Sequence, residues 1–459
     1  MAVSPSRAAR GALVGRWPAI FAGAILLGVL GGALAERKPS TAVILCIAVV
    51  AVIALAMLGE RAFPWAIVIV SVAPWYPIVG QVAEEPIVRQ KVLCAAIVPW
   101  LWSLALGGRR TRPSRAALLM AVLFAALALL IYETLGSITT MIDSKVIGFL
   151  FGGVAFLCAR RFGNGRGWLA AAFAGLVILG MFGAYAYLKA PSNRVGYFVG
   201  YPITYGALVV GLLPAALLFA YQRSRLLAGG LVGASAALLI FSESRSSWVA
   251  ATVMLIVAVA LQARAGNFRA LAAVATAVVI LTGLILSTGS LSHIVEKKLN
   301  SNVIRTQSVT HREWSYGYAF KTIGTQPLFG AGAPGFSAAE SANRTSIGAI
   351  DNGYLSITVD MGLVGLLAAM IPIGVALRVI ARCLRLGVTP RYELALALGV
   401  LGMAVVTVFY DSFYWAQIVL LLGAMGGALS VRVASISSEA TARAAAPRRR
   451  RARRIRWAI

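Results

Sequence analysis

Acidic residues are scarce. The 459-residue chain carries 15 Asp and Glu against 42 Lys and Arg, and only two histidines, His293 and His311. So few imidazoles make a histidine-based metal site unexpected. The four cysteines (Cys46, Cys94, Cys158 and Cys383) are scattered through or near apolar runs without metal-ligand spacing, which reads as small core residues. Charged residues amount to 12% of the chain, about half the share usual in soluble domains, and this excludes a solvated globular surface.

What the chain has instead is apolar sequence, at 60% of its residues. A helix needs roughly 20 apolar residues to cross the hydrocarbon core of a bilayer. Runs near that length recur at 17–35, 41–58, 63–80, 92–107, 116–132, 146–158, 167–188, 202–221, 226–242, 246–263, 270–288, 353–377, 393–410 and 414–430. The expectation is an all-α, polytopic integral membrane protein with about fourteen transmembrane helices. The sixth run is short enough to be tilted or partly re-entrant, and only a tight polar turn separates the ninth from the tenth. The first run has a basic flank but no convincing small-residue cleavage site, so it reads as a span.

The net charge of +27 would point to nucleic acid in a soluble chain. Here the cations fall in short loops and in the tail from Arg448 to Arg456, so topology and anionic lipid explain them, and no nucleic-acid partner is expected. Arg7, Arg10 and Arg16 place the N-terminus inside. Alternate loops then carry Arg61 alone, and Arg109, Arg160, Arg223, Arg264 and Arg378 each with basic neighbours, ahead of the basic tail. Both termini are expected in the cytoplasm. Arg37, Lys38, Arg89 and Lys91 are exceptions among the first spans. The organisation read from this is a basic N-terminus (1–16), eleven spans (17–288), a large external loop (289–352), three spans (353–430) and a basic tail (431–459).

The informative cations are those on the other side. Arg194, Arg245 and Arg312 fall in segments that the alternation places outside. Arg245 sits in Ser242-Glu-Ser-Arg-Ser-Ser-Trp248, with Ser244 and Ser246 beside it. Arg312 belongs to Arg312-Glu-Trp, in a stretch (311–323) with helical amphipathicity. Asp351-Asn-Gly-Tyr354 directly precedes a span, and Asp360 lies within that span's apolar run. Arginine presents a planar fork of donors that suits phosphate and offsets the charge of a departing pyrophosphate without a metal. A carboxylate nearby could accept a proton from an attacking hydroxyl. Structural readings stand beside these. An arginine at a span end often reaches lipid headgroups, Asp and Asn are helix N-caps, and an intramembrane acid can lock onto an arginine.

Together these segments resemble the superfamily of O-antigen ligases and Wzy-type polysaccharide polymerases. The resemblance rests on Arg194-Val-Gly-Tyr, Ser242-Glu-Ser-Arg-Ser-Ser-Trp248, Arg312-Glu-Trp, Gln326-Pro-Leu-Phe-Gly-Ala-Gly-Ala-Pro-Gly335, Asp351-Asn-Gly-Tyr-Leu355 and Asp360-Met-Gly-Leu-Val-Gly365, in that order over about 190–370. It implies a metal- and cofactor-independent glycosyltransferase of the bacterial inner membrane with a large, partly helical periplasmic loop. The donor would be an undecaprenyl-pyrophosphate-linked glycan, the acceptor a glycan hydroxyl, and the working partners a flippase and a chain-length regulator. Arg194 and Arg245 would hold the pyrophosphate, with Arg312 as further charge. Asn352, Tyr354, Ser244 and Ser246 are further candidates for substrate contact. Where the ligases have a histidine this chain has Asp351, a weaker base by residue type at neutral pH. That departure favours polymerisation of O-antigen or exopolysaccharide repeat units over ligation to lipid A-core. The alternatives are a transporter or flippase for an anionic lipid-linked glycan, which predicts broken helices at membrane depth, and a non-catalytic scaffold.

Overall fold

The computed structural model describes residues 63–73, 142–162, 165–190, 194–264, 266, 302–331, 350–387 and 390–432. Among the described residues every regular element is helical. In chain order the helices are α1 (Phe63–Val72), α2 (Ile142–Phe162), α3 (Gly165–Lys189), α4 (Pro202–Arg223), α5 (Arg225–Ser242), α6 (Arg245–Arg264), α7 (Asn302–Thr325), α8 (Gly353–Leu386), α9 (Arg391–Phe409) and α10 (Ala416–Arg432). Single 3-10 turns at Tyr197–Val199 and Ser412–Tyr414 precede α4 and α10.

Six helices, α3 to α6, α8 and α9, are long and apolar enough to cross a membrane. The expected runs 17–35, 41–58, 92–107, 116–132 and 270–288 lie outside the described residues, so six long spans are shown and the count of fourteen is not. Three expected boundaries need correction. The short sixth run belongs to a longer, 21-residue helix, α2. The third run ends its helix at Val72, with a bend at Ala73. The twelfth run continues to Leu386, because Arg378, Arg382 and Arg385 are good helix formers and cations suit the negative end of a helix dipole. Gly387, at φ 60°, then stops it in the left-handed conformation that glycine accepts.

Apolar burial gives helices no drive to associate in lipid, so they pack where small residues let backbones approach. A Cβ on Gly399 of α9 would run into the Gly211 carbonyl of α4, and one on Gly423 of α10 into the Gly152 carbonyl of α2. The most intimate helix pairs are α4 with α3, α5 and α9, and α9 with α6 and α8. Helices α4 and α9 are therefore buried along most of their length, whereas α5 and α6 turn broad faces outward. Local capping follows the sequence. Pro202 starts α4 at a position where its missing N–H costs nothing. Ser224 between α4 and α5 accepts a bond from Leu226 N (3.2 Å).

The ends of the helices sort by charge. At one end of the bundle, Gly387 lies beside the Arg264 carbonyl and Arg432 pairs with the buried Glu393 (3.8 Å). At the other end the Arg194 segment, the α5–α6 turn, the start of α8 and the α9–α10 turn come together.

The helix expected near 311–323 is present and longer, as α7. Its Ala319, Trp314, Tyr318 and Ile323 pack with Ile350, Leu355 and Val359 at the start of α8. After α7 the chain makes an elbow at Pro327, Leu328, Phe329 and Gly330 that docks on a break in α8. Gly362, at φ 65° and ψ −163°, interrupts that helix in a region open to glycine alone. The break frees backbone groups, and the elbow satisfies them. Leu363 N donates to Pro327 O (2.8 Å), Val364 N to Leu328 O (3.3 Å), and Ala331 N to Val359 O (2.8 Å). No side chain fits between, since a Cβ on either Gly330 or Gly362 would strike the opposing backbone.

Candidate active site

The α5–α6 connection consists of Glu243 and Ser244 alone. Glu243 takes the left-handed conformation (φ 52°) that closes α5. A helix ends with four carbonyls lacking intrahelical partners, and here the accounting is complete. Leu239 O accepts from Ser242 Oγ (2.8 Å) and Trp248 Nε1 (2.9 Å). Ile240 O accepts from Glu243 N (2.9 Å) and Phe241 O from Val195 N (3.1 Å). Arg194 supplies the rest, with Nε on Ser242 O (3.2 Å) and Nη2 on Glu243 O (3.2 Å). Its fork is thus spent on the turn that carries Arg245, and Nη1 takes part in neither bond.

The serines of this turn are also committed. Ser244 Oγ bonds Ser247 Oγ (2.7 Å) and Ser246 Oγ (3.2 Å), and all three residues are buried. Gly206 of α4 passes so close to Ser244 and Ser247 that a Cβ there would collide. Arg245 is exposed as the first residue of α6. A cation at a helix N-terminus opposes the dipole, typically by 0.3–1 kcal/mol. The N-terminus of a helix is itself a place where negative charge is favoured.

A chain of rings leads from Arg194 to α8. The Arg194 guanidinium lies over the Tyr201 ring (6.0 Å), and Tyr201 stacks on Tyr410 (5.8 Å, 9°). Tyr410 accepts from Trp415 Nε1 (2.7 Å). Burial raises the Tyr410 phenol above its ordinary value, so it stays neutral. The turn after α9 carries the start of α8. Ser356 Oγ donates to the buried Asp411 carboxylate (2.7 Å), and Gly353 packs against Thr407, Tyr410 and Phe413. The Gln417 amide donates to Val199 O (2.7 Å), tying the Arg194 segment to α10.

At the start of α8 the capping residue is Asn352. Its Oδ1 accepts from Tyr354 N (3.0 Å) and Leu355 N (3.1 Å). Asp351, half-buried, lies one residue outside the cap. The Tyr354 hydroxyl donates to Ala404 O of α9 (2.9 Å), and its ring meets Phe413 edge-on. Asp360 is half-buried, two residues before the break in α8. Arg312 lies on α7, two residues before Trp314, whose ring stacks on Tyr318 (6.2 Å).

The structure therefore brings the Arg194, Arg245 and Asp351 segments to one end of the bundle and gives several of the other candidates structural work. Asn352 caps α8, Tyr354 joins α8 to α9, and Ser244 and Ser246 bond within the turn. Sequence reasoning missed Asp411. The signal was available, since this acid falls between two apolar runs on the same face as the arginines.

Residues 230–370 match the O-antigen ligase family. The chain carries an O-antigen ligase domain. That domain begins within α5, includes the Ser242–Trp248 turn, α7, the elbow and Asp351, and ends in α8 beyond the break. Arg194, α9 and Asp411 lie outside it. That domain marks a multi-pass membrane enzyme of glycosyltransferase type, and the family implies ligation or polymerisation of lipid-linked glycans. No curated protein matches the chain. Among the described residues no cluster of His, Cys, Asp and Glu could hold a metal ion.

Proposed function

We propose that the chain polymerises lipid-linked glycan repeat units at the periplasmic face of the bacterial inner membrane, with both termini cytoplasmic. The observation that carries this reading is Arg245, exposed at the N-terminus of α6 at the end of the bundle where the Arg194 and Asp351 segments also lie. The donor is an undecaprenyl-pyrophosphate-linked glycan, and its pyrophosphate lies at Arg245 and the α6 N-terminus. Arg194 acts by fixing the turn, and Arg312 adds charge from α7. The acceptor sugar hydroxyl attacks the anomeric carbon, a new glycosidic C–O bond forms, and the anomeric C–O bond to pyrophosphate breaks. Asp351 takes the hydroxyl proton, and lipid pyrophosphate leaves with its negative charge offset by arginine.

An aspartate in place of the ligase histidine supports a lipid-linked or growing glycan as acceptor over lipid A-core. A flippase delivering the donor and a chain-length regulator would be the working partners. The transport reading expected a broken helix, and α8 is broken. However, the elbow carbonyls occupy the amides that the break frees, so those amides are not open to an ion or solute. The test uses purified protein in vesicles with a lipid-linked repeat unit. Arg245→Ala should abolish long chains and keep the fold. Chains of ordinary length from that variant would overturn the reading, and transfer to lipid A-core alone would assign ligation.

A further inference from the structure

The elbow at Pro327, Leu328, Phe329 and Gly330 is apolar, yet it hides little of itself. Leu328 is 59% and Phe329 75% exposed. Its backbone is bound to Leu363 N and Val364 N of α8. Those two residues are themselves exposed, as is Leu367 one turn further on. The elbow thus sits directly on a face that α8, as a membrane span, turns toward lipid.

Depth can be counted. Roughly 20 helical residues cross the hydrocarbon core. Counted back from Arg378, the first cation at the inner end of α8, they reach Thr358. The break at Gly362 and the carbonyls docked on it therefore lie inside the core. Irregular backbone survives at such depth only when its polar groups are satisfied by protein, and Pro327 O and Leu328 O meet that condition through the amides of α8. Two large apolar side chains held exposed at this level have acyl chains as neighbours.

We propose that the elbow is a re-entrant membrane anchor, with Leu328 and Phe329 inserted among lipid acyl chains beside the α8 break. It holds the C-terminal end of α7 at the bilayer, and with it the packing of α7 against the residues that follow Asp351. The occupant is the phospholipid bilayer itself, so the anchor works without donor or acceptor and does not depend on the reaction proposed above.

The test uses full-length protein with its four cysteines replaced by alanine, bearing Leu328→Cys, Phe329→Cys or Thr325→Cys and a nitroxide label, in phospholipid vesicles free of polyprenyl lipid. At 328 and 329, oxygen should relax the label more than a water-soluble nickel chelate does, and the order should reverse at 325. Greater accessibility to the chelate at 328 and 329 overturns the proposal. Low accessibility to both, with dipolar broadening, assigns the face to a second copy and also overturns it. Should labelling disturb the fold, wild-type protein can be irradiated with a phospholipid bearing a diazirine at mid-chain. Adducts at Leu328 or Phe329 are expected, and their absence, with adducts present on Leu367, counts against the anchor.

Discussion

Removing Arg194 separates two roles for an outward arginine. In Arg194→Ala the carbonyls of Ser242 and Glu243 lose their donors. Bonds to a charged group contribute about 1.5–3 kcal/mol each when buried. Arg194 is about a quarter exposed, so water replaces part of the loss. The ion pair with Glu243, at 3.9 Å and similarly exposed, adds little. A total of about 2–3 kcal/mol is reasonable, equivalent to roughly a 30- to 150-fold rise in the open fraction of the turn. Amide exchange reads this directly. Protection at Val195, Glu243, Ser247 and Trp248 should fall by that factor, while α4 and α9 keep theirs. Arg194→Lys should recover only part, because an ammonium cannot span both carbonyls as the fork does. Glycan synthesis should decline through kcat, since the variant displaces Arg245. If Arg194→Ala leaves exchange in the turn unchanged and raises only the KM for donor, the positioning argument fails and Arg194 is itself the pyrophosphate ligand.

Other perturbations test neighbouring links. Gly362→Ala places a Cβ against the Leu328 backbone and forces an alanine into a conformation costing about 1–3 kcal/mol, so the segment joining α7 to the elbow should become protease-sensitive while the rest of the protein resists. Asn352→Ala should lower stability by about 1 kcal/mol with Asn352→Asp near neutral, as expected for a cap, and thermal unfolding in detergent reads both. Asp351→Asn should abolish chain extension without a shift in melting temperature, and unchanged turnover would remove Asp351 from the chemistry. Ser356→Ala deprives the buried Asp411 of a hydrogen bond and should destabilise by roughly 1–3 kcal/mol; an unchanged melting temperature would show that the Asp411 turn does not hold the start of α8.

The spans were legible wherever apolar length alone decides, and α4, α5, α6 and α9 fall within a few residues of their runs. The continuation of α8 was not, because hydropathy ends at Arg378 while helix formation does not. The grouping of Arg194, the Ser242–Trp248 turn and Asp351 could be anticipated from charge sidedness. Their division of labour could not. An arginine that binds phosphate and one that caps carbonyls use the same guanidinium fork, and only coordinates show that Arg194 faces the end of α5. The serines misled for a related reason. Three hydroxyls in the four residues from Ser244 to Ser247 look like an open polar pocket, but all three are buried, with Gly206 of α4 close against Ser244 and Ser247. Nothing in the sequence signals that Gly330 and Gly362 lie on two segments that meet.

The break at Gly362 also bears on the order in which the protein is built. The elbow leaves the ribosome before α8, yet its carbonyls have no partners at membrane depth until α8 arrives. Equally, α8 cannot settle its outer nine residues until the elbow is present to accept from Leu363 and Val364. Neither piece has a finished state alone, so on the proposed topology loop translocation and completion of this span become one event during biogenesis. On the topology and site proposed above, a chain stalled before it would lack the start of α8, and with it Asp351, so activity would follow only once the loop had crossed the bilayer.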